Sequence, residues 1–130
     1  MVSTLTGAGA IPDHVETTLP VVPDVGGAVV GVVRAVTGAW GVPDHVDGLA
    51  EAARAVSDEL VDRASVWSIL DLSVERDELD VYVRLSADVD AGTEPTLTGR
   101  TRAMVSLATG SHHVVLEGTR LLIVLQATWR

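Results

Sequence analysis

The chain has 130 residues, 47% of them apolar and 21% charged, which predicts one folded domain with a single core and argues against a disordered chain. Its formal net charge of −9 argues against nucleic acid as a partner and disfavours anionic membranes, since phosphate contacts need clustered cations. Without cysteine there is no disulfide, no thiolate nucleophile and no zinc–sulfur site, which suits a cytoplasmic protein.

Aromatic residues are scarce: Trp40, Trp67, Trp129 and Tyr82 are the whole set, so the core must be built from Val, Leu and Ala. All the basic residues are Arg, a bias consistent with a GC-rich genome. Met1 to Leu5 has no cationic segment of the signal-peptide kind. The apolar run Val25 to Val33 is too short to span a bilayer, so a soluble, cytoplasmic chain is expected.

Residues 1–18 are small and polar and read as a flexible N-terminal arm, with a short strand expected near Val15 to Leu19; residues 19–130 form the single domain. A first helix is predicted from Asp24 to Ala39. Pro23-Asp24 supplies its capping signal, and Val25, Val29, Val32, Val36 and Trp40 recur at helical spacing. Gly26, Gly27 and Gly31 each cost it about 1 kcal/mol against Ala, so its first half needs tertiary support. After the break at Gly41-Val42-Pro43, Asp44 caps a second helix to Ala64, with Val46, Leu49, Ala53, Val56, Leu60 and Ala64 on one stripe.

Val66 to Val74 is predicted as a strand and Glu75 to Glu78 as a charged turn. A second strand follows from Leu79 to Leu85, with Leu79, Val81, Val83 and Leu85 facing in. Ser86 to Thr98 is acidic and rich in turn residues, so it reads as a loop. A short helix then runs from Gly99 or Arg100 to Ala108. Strands from His112 to Glu117 and Arg120 to Trp129 close the domain across Gly118-Thr119, where Gly comes first as a type II′ hairpin turn needs. Helix, helix, strand, strand, helix, strand, strand makes a two-layer α/β sandwich of the α+β kind. About three helices cover one face of a mixed sheet of about 4–5 strands.

Glu59-Leu60-Val61-Asp62-Arg63-Ala64, at the end of the second helix, is similar to the E-L-V-x-N-A pattern of histidine-kinase-like (GHKL, Bergerat-fold) ATPases. With Leu19-Pro20 ahead of the first helix and Trp40-Gly41-Val42-Pro43 between the helices, residues 18–129 resemble the anti-sigma-factor serine-kinase type, common in actinobacteria. The resemblance implies a Bergerat-like fold and a nucleotide site with four features. Its general base would be Glu59, but Arg63 stands where an Asn binds magnesium, and a guanidinium has no acceptor for a cation. The adenine-binding Asp position is Leu85 and the next glycine position is Ala87. Losing that charge-assisted hydrogen bond weakens binding by roughly tenfold to a hundredfold. Gly99-Arg100-Thr101 keeps one glycine of the last motif and has Thr101 in place of the other. The expected lid is short, and its Asp88, Asp90 and Glu94 repel phosphate; a shifted alignment would bring Asp88 or Asp90 to the adenine.

With three of the four features damaged, ATP and magnesium are disfavoured as cofactors and Glu59 is read as the partner of Arg63 in an i, i+4 pair of about 0.2–0.5 kcal/mol. No metal is expected. His112 and His113 are adjacent on a strand and point to opposite faces, while His14 and His45 sit in capping contexts. Asp58, Glu59 and Asp62 form an acidic cluster on the second helix, more often a solvated face than an acid/base pair. No G-x-S-x-G elbow or phosphate-binding glycine loop is present. Trp67 and Trp129 are expected in the core; either one, if exposed, would mark an interface.

The leading expectation is a non-catalytic regulator with no catalytic residue. It would bind a protein partner, which the resemblance identifies as a sigma factor or its antagonist, and homodimers are common in that family. A functional anti-sigma-type serine kinase using Glu59 is the second reading, and a different α/β sandwich holding a small apolar ligand the third.

Overall fold

The structure is a computed structural model that describes residues 12–42 and 48–129. Most of the expected N-terminal arm, and the Asp44 cap with His45 and Val46, lie outside the described residues. The order is β1 (His14–Pro20), α1 (Val25–Ala39), α2 (Gly48–Arg63), β2 (Ile69–Arg76), β3 (Asp80–Asp88), α3 (Gly99–Ala108), β4 (Ser111–Glu117) and β5 (Arg120–Thr128). This is an α+β two-layer sandwich: three helices on one face of a five-stranded sheet in the order β1-β2-β3-β5-β4. The expected short strand is β1, whose pairing with β2 from His14 to Pro20 brings residues 14–18, read from sequence as arm, into the sheet.

Every pairing in the sheet is antiparallel, which corrects the expected mixed sheet. The helix hairpin α1–α2 returns the chain to the end of the sheet it left, so β2 must run against β1. The single helix α3 carries the chain across and makes β4 parallel in direction to β3. β5 then inserts between those two strands, so no parallel pair is adjacent.

The inner face of the sheet is apolar by strict alternation. Val81, Val83, Leu85 and Ala87 of β3 and Leu121, Ile123, Leu125 and Ala127 of β5 are all buried. Against them pack Val25, Val29, Val33 and Val36 of α1, Leu49, Ala53, Val56 and Leu60 of α2, and Val105 of α3. Val33 is buried and Val32 only half-buried, so the stripe of α1 turns slightly from the expected one. Each fully buried Val or Leu contributes about 1.5–3 kcal/mol by leaving water, and this core has no Phe at all.

Two boundaries moved for a physical reason. Val66 and Trp67 belong to a turn closed by Ser68 N–H on the Ser65 carbonyl at 3.2 Å, so β2 starts at Ile69 rather than Val66. Leu79 is exposed just ahead of β3, because the Asp77 carboxylate accepts the N–H groups of Leu79 and Asp80 and fixes a tight turn there. At the other end of β3 the strand runs on to Asp88, through residues expected in a loop. Gly118 takes φ +61° at the first position of the β4–β5 turn, as expected.

Trp129 packs against the core, and with buried Trp40 it flanks Arg76. The guanidinium lies 5.0 Å from the Trp40 ring and 5.7 Å from that of Trp129, and it pairs with Asp13 at 2.9 Å. This cation–π clamp ties the end of α1 to the last strand. Among the described residues no helix is long and apolar enough to cross a membrane.

Candidate functional site

The C-terminal half of α2 and the segment from Val89 to Thr98 meet where the resemblance places a nucleotide. Glu59 is buried on the side of α2 that faces α3. Its carboxylate accepts the Thr98 backbone N–H at 3.1 Å and the Thr98 hydroxyl at 2.7 Å. Thr98 is the N-cap of α3, yet its own side chain caps nothing. In an ordinary capping box, a Glu three residues into the helix reaches back to the N-cap N–H. Here a Glu from a different helix does that work, and its negative charge faces the positive end of the α3 dipole.

Arg63 closes the arrangement. Its guanidinium meets the Glu59 carboxylate at 2.7 Å, with the two side chains 20% and 8% exposed. It also donates to the carbonyls of Glu94 at 3.1 Å and Thr96 at 2.5 Å. The planar fork thus satisfies one carboxylate and two backbone oxygens at once, which an Asn could not do. The segment ahead of α3 is thereby stapled down on α2, and the expected i, i+4 pair is part of a larger network. The i, i+4 spacing marks the pair in the sequence, whereas Thr98 lies 39 residues from Glu59 and gives no local signal.

The other marked positions go elsewhere. Leu85 and Ala87 are fully buried in the core on the helix-facing side of β3, packed in the same cluster as Val56 and Leu60. Thr101 is buried one turn into α3, its hydroxyl 3.3 Å from that of Thr98, so it joins the Glu59 network. Gly99 begins α3 at the surface with open space where a Cβ would stand. Asp88 lies on the opposite face of the sheet from Ala87 and is drawn toward Arg120 at 3.5 Å, which removes it as an adenine acceptor on the helix side. Asp90 is exposed at the end of α2, its N–H bound to the Arg63 carbonyl at 3.0 Å.

A groove of about 480 Å³ does run between α2 and α3. Glu51, Asp58, Glu59 and Asp62 line it against Arg54 and Arg100, so carboxylates outnumber cations there. Of the acidic cluster, Asp58 and Asp62 are solvated as expected, while Glu59 is buried and engaged. His112 stands opposite Leu125 on the inner side and His113 opposite Val124 on the outer side, so the two point apart. Among the described residues no group of three or more His, Asp or Glu side chains is gathered tightly enough to hold a metal ion.

Trp67 departs most from expectation. It is 94% exposed and carries φ +68°, whereas Trp40 is buried and Trp129 packs on the core. The alternation read across Val66 to Val74 hid the turn, because no Gly, Asn or Pro marks it. No family model matches this chain, and no curated protein matches it in sequence.

Proposed function

We propose that the chain is a non-catalytic regulatory protein, a degenerate anti-sigma-type ATPase-like domain that acts in the cytoplasm by binding a protein partner. The partner is of the sigma-factor or sigma-antagonist kind, and the mechanism is occlusion of a partner surface. The observation that carries this reading is the state of Glu59 and Arg63. The carboxylate that would act as base is engaged by Thr98 and Arg63, and the residue in the magnesium position is a guanidinium spent on lid carbonyls. Leu85 and Ala87, at the adenine positions, support it by being core residues. The carboxylate-rich groove between α2 and α3 adds repulsion for phosphates and suits a small apolar ligand poorly.

Isothermal titration with ATP and magnesium tests the reading. The expected outcome is no binding in the micromolar range. Micromolar binding that Glu59→Gln abolishes while the fold stays intact would overturn the reading in favour of a working ATP site.

A further inference from the structure

Trp67 pays twice for its position. It is the third residue of the turn from Ser65 to Ser68, and its φ of +68° belongs to the left-handed region that such turns give to Gly or Asn. A Cβ there crowds the following carbonyl oxygen. It is the single non-glycine residue with positive φ among the described residues. The turn is also pinned. One carbonyl, that of Asp88, accepts the Ser65 N–H at 3.0 Å and the Ser68 hydroxyl at 2.8 Å, with the Ser65 hydroxyl 3.4 Å away. Val66, 80% exposed, and Ile69, 53% exposed, flank the indole and make an apolar knob at the end of the sheet.

Among the described residues no hydrogen bond or ring contact holds this indole, which stands 94% exposed on a strained turn. Backbone strain of this kind gathers at functional sites, and Trp is prominent among interface anchors. A rigid turn also lowers the ordering cost of docking. Exposed Leu107 and Met104 on α3 form the rival patch, but they lie on an unstrained helix beside Arg100.

The surroundings select the occupant. Among the described residues, Asp62 in the last turn of α2 and Asp90 beside it carry no ion pair, and neither does Glu94. The nearby cations are committed, Arg63 to Glu59 and Arg120 to Asp71 and Asp88. A second copy of this chain would bring the same acidic rim against itself, and nucleic acid or an anionic membrane would be repelled. We propose that Trp67, with Val66 and Ile69, is the anchor by which this chain inserts into an apolar pocket on a protein partner whose pocket is rimmed by Arg or Lys. This rests on the partner-binding reading above and gives that reading its surface.

The test uses the full chain with the photo-crosslinker p-benzoylphenylalanine in place of Val66, and separately in place of Leu107, in the native host. The protein joined through position 66 is purified and titrated with the wild type, Trp67→Gly, and Asp62→Asn combined with Asp90→Asn, at low and high salt. An adduct by itself supports nothing. The supporting result is that Trp67→Gly weakens binding at least about 30-fold, the equivalent of about 2 kcal/mol, while its melting temperature equals or exceeds that of the wild type. The Asp variant should also slow association and flatten its salt dependence. Unchanged binding by Trp67→Gly, or an adduct between two copies of this chain, overturns the proposal. An adduct through position 107 alone overturns it too, but leaves the partner-binding reading standing. No adduct from either position overturns both.

Discussion

A carboxylate that already serves a helix N-cap and an arginine has little left to offer a reacting group. Removing the Glu59 carboxylate would strand the Thr98 N–H and leave the Arg63 guanidinium without its counter-charge at a site that is mostly buried. Breaking a buried pair from one side costs about 3–5 kcal/mol, so Glu59→Ala should lower the free energy of unfolding in urea by that much, read as a lower midpoint with the slope unchanged. Glu59→Gln keeps an acceptor oxygen and the volume, and should cost about 1–3 kcal/mol. If Glu59 were only one half of a surface helix pair, both variants would stay within about 0.5 kcal/mol of the wild type. The i, i+4 spacing made the pair legible in the sequence. The cross-helix cap was not legible, because it joins residues that only the packing of α2 against α3 brings together.

Helix α1 shows how an element can be built against its own propensity. Four glycines lie within it, and the expectation that its first half needs tertiary support is met by Val25, Val29 and Val33 buried against the rest of the core. The glycines are not equivalent, however. A Cβ at Gly26 would come within 2.9 Å of Asp58 Oδ1 and 3.0 Å of Arg54 Cγ, so α1 approaches α2 closely there. At Gly27 and Gly31 a Cβ would meet nothing within 4 Å. Gly31→Ala and Gly27→Ala should therefore each raise stability by about 0.5–1 kcal/mol in urea unfolding. Gly26→Ala should give no such gain, because its Cβ displaces the α2 side chains. Equal gains at all three positions would mean that the close approach is unimportant. Element boundaries were legible where period and turn chemistry agreed, as at α3 and the β4–β5 hairpin. They failed at Val66 and Trp67, where an aromatic residue occupies a turn position that sequence assigns to Gly.

On the scale of the whole molecule, element order was enough to predict two layers, while strand direction was not. Whether β5 lies outside β4 or between β3 and β4 leaves no trace in hydrophobic period, and that choice turned an expected mixed sheet into an antiparallel one. Charge acts on the same scale. With 18 carboxylates against nine arginines the fold repels itself at neutral pH, and mild acid relieves that repulsion. Two carboxylates oppose the trend. The hydrogen bond from Arg84 holds Glu75 below its ordinary value of 4.5, and the N–H groups of Leu79 and then Asp80 hold Asp77 below 3.8. Each binds its proton more weakly folded than unfolded, so unfolding takes up protons and acid favours the unfolded chain. Their contribution is complete above those ordinary values and is lost as pH falls through the lowered folded ones. The urea midpoint should therefore decline from about pH 4.5 downward. Glu75→Gln should flatten the early part of that decline, and Asp77→Asn the part that begins nearer 3.8. A Glu75→Gln profile that falls as steeply as the wild type would show that the Arg84 pair across β2 and β3 contributes nothing to stability.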